Sequence, residues 1–299
     1  MELRHLRYFV AVAEAGGVSR AAARLGIQQP PLGQQIRALE QELGLDLFDR
    51  APKRIVLNAA GDVFLEDARR ILSEVDTMVE HVRRFARGEQ GRVAVGFTSS
   101  ASLHRLTPKL IRAFRQAYPQ AEIDVEERET FELILGLQQR RIDAAFLHIS
   151  AQGFPDLQDH VLDQEGLVAA IPAEHPLAAS PGEPLPLAAL SGQRMVVYRR
   201  TDGPGIFEGV SAGLAAAGVV PIVVDEVQRL VAALNLVAAG RGVSLVPASM
   251  QVLHPDAIVY RPLADGALPP LPLYLIHRKE IDLTLVRNFI DVAVSFNLA

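Results

Sequence analysis

The sequence predicts an α+β multidomain protein with a winged helix-turn-helix at its start, a long linker helix after it, and a two-lobed α/β body. Three observations carry that prediction. The first 58 residues hold three short runs of helical apolar spacing and then a basic, hairpin-like stretch. Residues 60–87 hold one regular apolar seam, and beyond Gly88 short apolar strands alternate with helices. With 299 residues the chain is twice the roughly 150 that one domain usually takes. At 49% hydrophobic and 22% charged it can bury a real core.

In the head, Leu6, Phe9, Val10 and Ala13 share one helical face and Ala22 and Leu25 begin another. Leu32, Ile36, Leu39 and Leu43 follow at steps of four, three and four, the spacing of a single buried stripe. Ser19 suits an N-cap, Ala22 is small where two helices cross closely, and Gly26 can take the positive φ that stops a helix sharply. Ile27 then plugs the turn. Pro30 and Pro31 fit the first turn of the next helix, where a missing N–H costs nothing. With the stripe buried, Gln29, Pro30, Gly33, Gln34 and Arg37 occupy the entry and outer face of that helix, where amides and a guanidinium suit purine edges in a major groove. On an isolated helix the same residues would be only a solvated polar face; the context favours DNA. Leu47 to Leu57 reads as two short strands about a turn, a hairpin wing that sets Arg50, Lys53 and Arg54 beside the helix to grip phosphates or a minor groove. Residues 1–58 carry eight Lys and Arg against six acids, so a net charge of −5 leaves −7 on the remainder. That asymmetry suits a polyanion-facing head on an acidic body.

The next stretch has no glycine or proline after Gly61, and Phe64, Ala68, Ile71, Val75, Met78, Val82 and Phe85 alternate steps of four and three. That is an a/d seam sustained for three repeats. It packs either on its own domain or on another copy; adjoining segments supply no obvious partner, so the second reading makes Phe64, Ile71, Val75, Met78 and Val82 dimerisation residues. The body then reads as strands at 93–97, 123–127, 144–147, 167–171, 195–198, 222–224 and 243–246, with helices at 103–117, 131–139, 207–217 and 227–239. Residues 154–163 read as a crossing segment and the proline-rich 268–272 as a return crossing. The predicted domains are therefore 1–58, 59–88 and 89–299, with one lobe of 92–162 plus 268–299 and a second of 163–267. No internal repeat is strong enough in sequence to assert duplication.

In a two-lobed α/β body, ligands sit where loops leave the carboxyl ends of strands and helices present free N–H groups. Thr98, Ser99 and Ser100 follow the first strand and lead into a helix, Thr130 opens the next, His148 follows the strand ending at Leu147, and Thr201, Gly203 and Gly205 precede a helix of the second lobe. Together they form a site for a small carboxylate. Taken singly, each Ser or Thr is also an ordinary cap, and His148 also reads as a buried, hydrogen-bonded histidine.

The absence of cysteine removes disulfide scaffolds, thiolate metal sites and cysteine nucleophiles. No Gly-x-Ser-x-Gly elbow, His-Glu-x-x-His pair or phosphate loop occurs, so no catalytic residue, metal site or cofactor is assigned and an enzyme is not expected. Residues 209–224, the longest uncharged stretch, are broken by Gly213, Gly218 and Pro221 and fall short of the ~20 apolar residues a membrane span needs. Glu14 interrupts the apolar stretch behind Arg4 and Arg7, so no signal peptide is read and a cytoplasmic location is expected. A solute-binding transport component is the alternative the body alone would allow.

Leu6-Arg-Tyr-Phe, Ala21-Ala-Ala-Arg-Leu, Gln29-Pro-Pro-Leu, Gln35-Ile-Arg-Ala-Leu-Glu, Leu43-Gly and Leu47-Phe-Asp-Arg stand in the order found in the LysR-type transcriptional regulators, which the first sixty or so residues resemble. The likeness spans the whole chain, since Gly240-Arg-Gly-Val-Ser-Leu-Val-Pro247 resembles that family's late glycine-rich strand. It implies a periplasmic-binding-protein-like effector domain, operator contacts by Gln29, Pro30, Pro31, Gln34, Arg50 and Arg54, and assembly as a dimer or tetramer. It also implies double-stranded promoter DNA, a small organic acid effector and RNA polymerase as partners. Gly33 departs from the small hydroxyl residue common in that helix, which removes a phosphate contact and costs roughly 1 kcal/mol of helix propensity. The branch most resembled controls aromatic-compound breakdown; some of its members carry arginine where His148 falls, so this chain admits a less charged ligand than a dicarboxylate.

Overall fold

The computed structural model describes residues 1–51, 54–199, 206–264, 266 and 268–296, and the chain divides into two compact units, Met1–Arg84 and Phe85–Ala299.

The first unit begins with three helices, α1 (Leu3–Ala15), α2 (Val18–Leu25) and α3 (Gln29–Leu43). Leu6, Phe9 and Val12 line the buried face of α1, three residues apart, so Val12 takes the inward place that the spacing had given to Val10 and Ala13. They meet Ala21 and Ala22 of α2 and Leu32, Ile36 and Leu39 of α3. Helix α2 starts two residues earlier than expected, with Gly17 as its N-cap. Ser19 is therefore inside the first turn, and its hydroxyl donates to Gln29 Oε1 at 2.9 Å instead of capping. Gly26 ends α2 at φ 68°, a left-handed conformation that glycine adopts without steric cost. Arg20 donates to the carbonyls of Ala15 and Gly16 at 2.6 and 2.7 Å, a cation on the negative end of α1.

Strands β1 (Phe48–Ala51) and β2 (Arg54–Leu57) pair antiparallel, from Phe48 opposite Leu57 to Ala51 opposite Arg54. Glu40, 7% exposed, fixes this hairpin to α3 by accepting from the amides of Leu47 at 2.9 Å and Phe48 at 3.3 Å. Asn58 closes the base: its amide donates to the Asp46 carbonyl at 2.8 Å, and its Oδ1 accepts from Gly61 N at 2.8 Å.

Helix α4 (Ala59–Ala86) follows, and its seam divides. Ala68 is fully buried in the head core, Phe64, Leu65, Ile71 and Leu72 pack against it, and Phe64 stands edge-on to Phe9 with ring centres 4.9 Å apart. The expectation that adjoining segments leave the whole seam without a partner is corrected here: the head itself covers Phe64 and Ile71. Farther along the picture changes, and Met78 and Val82 are 58% and 60% exposed. This is why α4 belongs with the head for most of its length, where the sequence suggested a separate linker at 59–88.

The second unit contains two lobes of one design. In the first, β3 (Gln90–Phe97) lies parallel between β4 (Gln120–Glu127) and β5 (Ala144–Leu147). Strands β12 (Leu271–Arg278) and β6 (Leu157–Glu165) extend the sheet antiparallel, giving the order β4-β3-β5-β12-β6. Helices α5 (Ser99–Leu103), α6 (Leu106–Ala117) and α7 (Thr130–Gln138) connect these strands, and α10 (Thr284–Ser295) packs on the sheet through Phe289 and Ile290. In the second lobe, β8 (Arg194–Tyr198) and β9 (Ile222–Val227) are parallel, and β7 (Leu167–Pro172) lies between β10 (Ser244–Pro247) and β11 (Ile258–Pro262), antiparallel to both. A parallel bridge between Met195 and Val243 joins the two pieces, so the order β9-β8-β10-β7-β11 repeats the first lobe's pattern of two parallel and two antiparallel neighbours. Helices α8 (Ile206–Ala216) and α9 (Leu230–Ala238) complete it.

Several elements differ from the sequence reading. The helix expected at 103–117 is two helices, because His104 takes an extended conformation and turns inward, 2% exposed, with Nδ1 accepting from Leu106 N at 3.3 Å. The segment at 154–163 is largely strand β6. Val227 ends β9 and does not begin α9. Strands β11 and β12 and helix α10 were not expected. No described helix is long and apolar enough to cross a membrane.

Candidate nucleic-acid interface and ligand cleft

In the first unit, burial of Leu32, Ile36 and Leu39 turns Gln29, Pro30, Gln34 and Arg37 outward along α3, with Gly33 half-buried between them. Pro30 and Pro31 stand in the opening turn. The residues sort by their partners. Gln35, one position from Gln34, accepts from His5 Nε2 at 2.8 Å and is held within the bundle. Gln34 and Arg37 make no hydrogen bond or ion pair to any described residue, so their donors face outward. The Ser19 bond to Gln29 Oε1 leaves that side chain's NH₂ free to donate. An open concavity runs from the α1–α2 turn across Gln29, Gly33, Gln34 and Arg37 to Ile55 of the hairpin. The backbone of Arg50 and Arg54 lies on the paired strands; their side chains and Lys53 lie outside the described residues.

The second unit has an open concavity of about 500 Å³ between its lobes. Of the residues singled out from sequence, Thr98, Ser99, Ser100, Thr130 and His148 all line it. Thr98 caps α5, its Oγ1 accepting from Ala101 N at 3.4 Å and standing 3.3 Å from Ser100 Oγ, while Ser99 donates to Glu127. Thr130 is the first residue of α7 rather than its cap; that place belongs to Glu129. Thr201, Gly203 and Gly205 lie outside the described residues.

Sequence reasoning missed Glu129, Ile149, Tyr198, Gln228, Arg229 and Leu230, which line the same space. Gln228 and Arg229 join β9 to α9, which Leu230 opens, the second lobe's counterpart of the β4–α7 junction that carries Glu129 and Thr130. Reading 227–239 as one helix hid that junction. Arg229 Nε stands 3.9 Å from Glu129 Oε1, an exposed ion pair across the cleft, worth little in stability at such a separation.

His148 is held on one side of its ring by the backbone. Its Nδ1 is 3.0 Å from the Pro272 carbonyl; a carbonyl only accepts, so Nδ1 carries the proton and the neutral ring's Nε2 is a bare acceptor. Burial holds His148 far below the usual histidine range, at about 4, against the raising effect of the Pro272 bond and aided by nearby His104. The buried Nε2 has no hydrogen-bond partner among the described residues. Behind it, burial lowers the pKa of His104 against the pull of Glu165 and Asp163.

A recognition helix with unsatisfied donors beside a hairpin, and a polar cleft between two like lobes, together define a ligand-responsive DNA-binding regulator. Residues 3–62 match the bacterial regulatory helix-turn-helix protein, lysR family, and residues 86–296 match the LysR substrate binding domain. The chain belongs to the LysR family of transcriptional regulators. It is similar to the uncharacterized HTH-type transcriptional regulator YnfL of Escherichia coli, 39% identical over 89% of this chain and 88% of that one. It is also similar to the HTH-type transcriptional regulator BenM of Acinetobacter baylyi, 36% identical over 94% and 91%. Among solved structures, CbnR superposes with a TM-score of 0.87 at 32% identity, covering 98% of this chain and 100% of that chain. Full-length CbnR complexed with its target DNA gives 0.85 at 31% identity, covering 99% and 100%. The protein is thus a DNA-binding transcriptional regulator with an effector-binding domain, and not an enzyme.

Proposed function

We propose that this regulator seats α3 in the major groove of a promoter, with Gln29, Pro30, Pro31, Gly33, Gln34 and Arg37 at the base edges and flanking phosphates. The wing residues Arg50, Lys53 and Arg54 hold the adjoining backbone. Two heads act together through the outer part of α4, where half-buried Val75 and exposed Met78 and Val82 pair with a second copy, and dimers associate further into a tetramer. Two joined heads address two half-sites, which raises effective concentration without new contacts. A small organic acid enters the interlobe cleft at Thr98, Ser99, Ser100, Thr130 and His148, and the sequence adds Thr201, Gly203 and Gly205 as candidates for the same ligand. By binding one arrangement of the assembly better than another it shifts the population, and with it DNA bending and contact with RNA polymerase. The cytoplasm, where promoter and polymerase are found, is its place of action.

The observation that carries the DNA reading is the pair Gln34 and Arg37, exposed and without a partner among the described residues, opposite a buried stripe. Gln34→Ala with Arg37→Ala is expected to weaken operator binding at least tenfold, since one good base contact is worth about 1–3 kcal/mol. Footprinting at fixed salt reads the loss. Unchanged protection by a folded double variant would remove α3 from the groove.

A further inference from the structure

His148 borders the cleft and carries a buried acceptor that no described residue satisfies. His148 lines the concavity, its Nδ1–H is committed to the Pro272 carbonyl, and its Nε2 has no partner among the described residues. An acceptor removed from water and left unmatched is a standing penalty that a ligand can relieve. A carboxylate placed against that nitrogen would bring lone pair to lone pair, so the anionic end of any ligand must lie elsewhere. The starts of α7 and α9, with Arg229, lie along the same cleft, and helix starts favour anions. What meets His148 must be a donor. An ammonium group is a poor choice, because Glu129, the only acid along the cleft among the described residues, already faces Arg229. A hydroxyl can donate to Nε2 while its own oxygen accepts from the Ser and Thr hydroxyls that share the space.

We propose that the ligand is a small carboxylate that also carries a hydroxyl group, and that this hydroxyl donates to Nε2 of His148. The proposal rests on the reading of the cleft as the effector site and names the chemistry that site selects. The low proton affinity of His148 agrees with it, since the ring stays neutral at physiological pH and keeps Nε2 as an acceptor.

The test uses the full chain, with calorimetry on matched triplets that differ only at one position. One triplet is benzoate, meta-hydroxybenzoate and meta-methoxybenzoate; the other is butyrate, β-hydroxybutyrate and β-methoxybutyrate. The methoxy member keeps the oxygen and loses the donor. In at least one triplet the hydroxy acid is expected to bind about tenfold tighter than both relatives, the scale of one buried hydrogen bond. His148→Leu is expected to abolish that advantage, and His148→Gln, whose carbonyl can still accept, to keep part of it. The wild-type comparison stands even if a variant fails to fold. If the unsubstituted or methoxy acid binds as tightly as the hydroxy acid, the proposal is overturned while the cleft remains the effector site. If no member of either triplet binds at millimolar concentration, both are overturned.

Discussion

Glu40 sets the position of the wing, and its removal has a calculable cost. Its carboxylate, buried on the inner side of α3, accepts from the amides of Leu47 and Phe48 where the hairpin begins. Both of those residues are themselves buried, at 1% and 6% exposure, so water cannot replace the acceptor without opening the core. Glu40→Ala leaves two buried N–H groups facing a void, and each such loss costs about 1–3 kcal/mol; on the order of 3 kcal/mol in total is a cautious sum. For a unit of this size that lowers the thermal midpoint of the head by on the order of 15 °C. Amide exchange is the direct assay, with the Leu47 and Phe48 protons expected to exchange about a hundredfold faster. Glu40→Gln, which keeps one carbonyl acceptor, should lose about 1 kcal/mol. Gln41→Ala on the exposed side should change stability by under about 0.5 kcal/mol. Unchanged exchange at Leu47 and Phe48 in Glu40→Ala would refute the reasoning, because the Glu40 carboxylate is the acceptor for both amides.

Three further outcomes follow from the geometry. At Gly61 an added Cβ would lie 2.1 Å from the Leu47 carbonyl oxygen; Gly61→Ala therefore destabilises the head by about 2 kcal/mol in urea unfolding, although alanine gains about 1 kcal/mol of helix propensity. Met78→Glu with Val82→Glu is expected to reduce the oligomeric mass in light scattering while leaving the head's circular dichroism intact, and an unchanged mass would remove the seam from the interface. The depressed pKa of His148, about 4, lets the unfolded chain bind a proton near pH 6.5 that the folded chain refuses. The associated stability is whole above pH 6.5 and falls by about 3 kcal/mol as pH drops to 4; His148→Gln should flatten that part of a pH series of calorimetric scans.

The sequence shows the head more fully than the body for a physical reason. Leu32, Ile36 and Leu39 announce α3 because one face is buried and the other wet, and Gly26 announces the turn because few residues accept its φ. Strand β12 gives no such signal. Leu271 to Arg278 sits inside its sheet with neighbours on both sides, and Pro272 within it reads as a breaker. Its insertion beside β5 depends on pairing across more than a hundred residues. The same limit applies to the cleft. Thr98 and Thr130 were legible as helix starts, but Arg229 matters only because the second lobe repeats the first, and that repetition lives in strand order rather than in residue identity. His148 was legible as a residue; its bare Nε2 was not, since the tautomer is set by the carbonyl of distant Pro272.

The divided seam of α4 bears on how such a regulator can respond to anything. Phe64, Ile71 and Met78 are spaced by sevens, as are Ala68, Val75 and Val82, and a straight helix drifts only ~20° per heptad. The stripe that locks into the head core and the stripe left exposed are therefore nearly one face of one helix. A second copy pairing on Met78 and Val82, as proposed, would take hold of one continuous helix whose other end is packed in the core that contains Phe9 and Leu39. Rotating the pairing by a given angle must turn α3 by the same angle, because the head core holds Phe64 and Ala68 in place. A tether of loose residues would pass effective concentration to the heads and lose orientation. Under the proposed pairing this helix would pass both, and a change in how two copies pair would alter the phase of two recognition helices along a duplex.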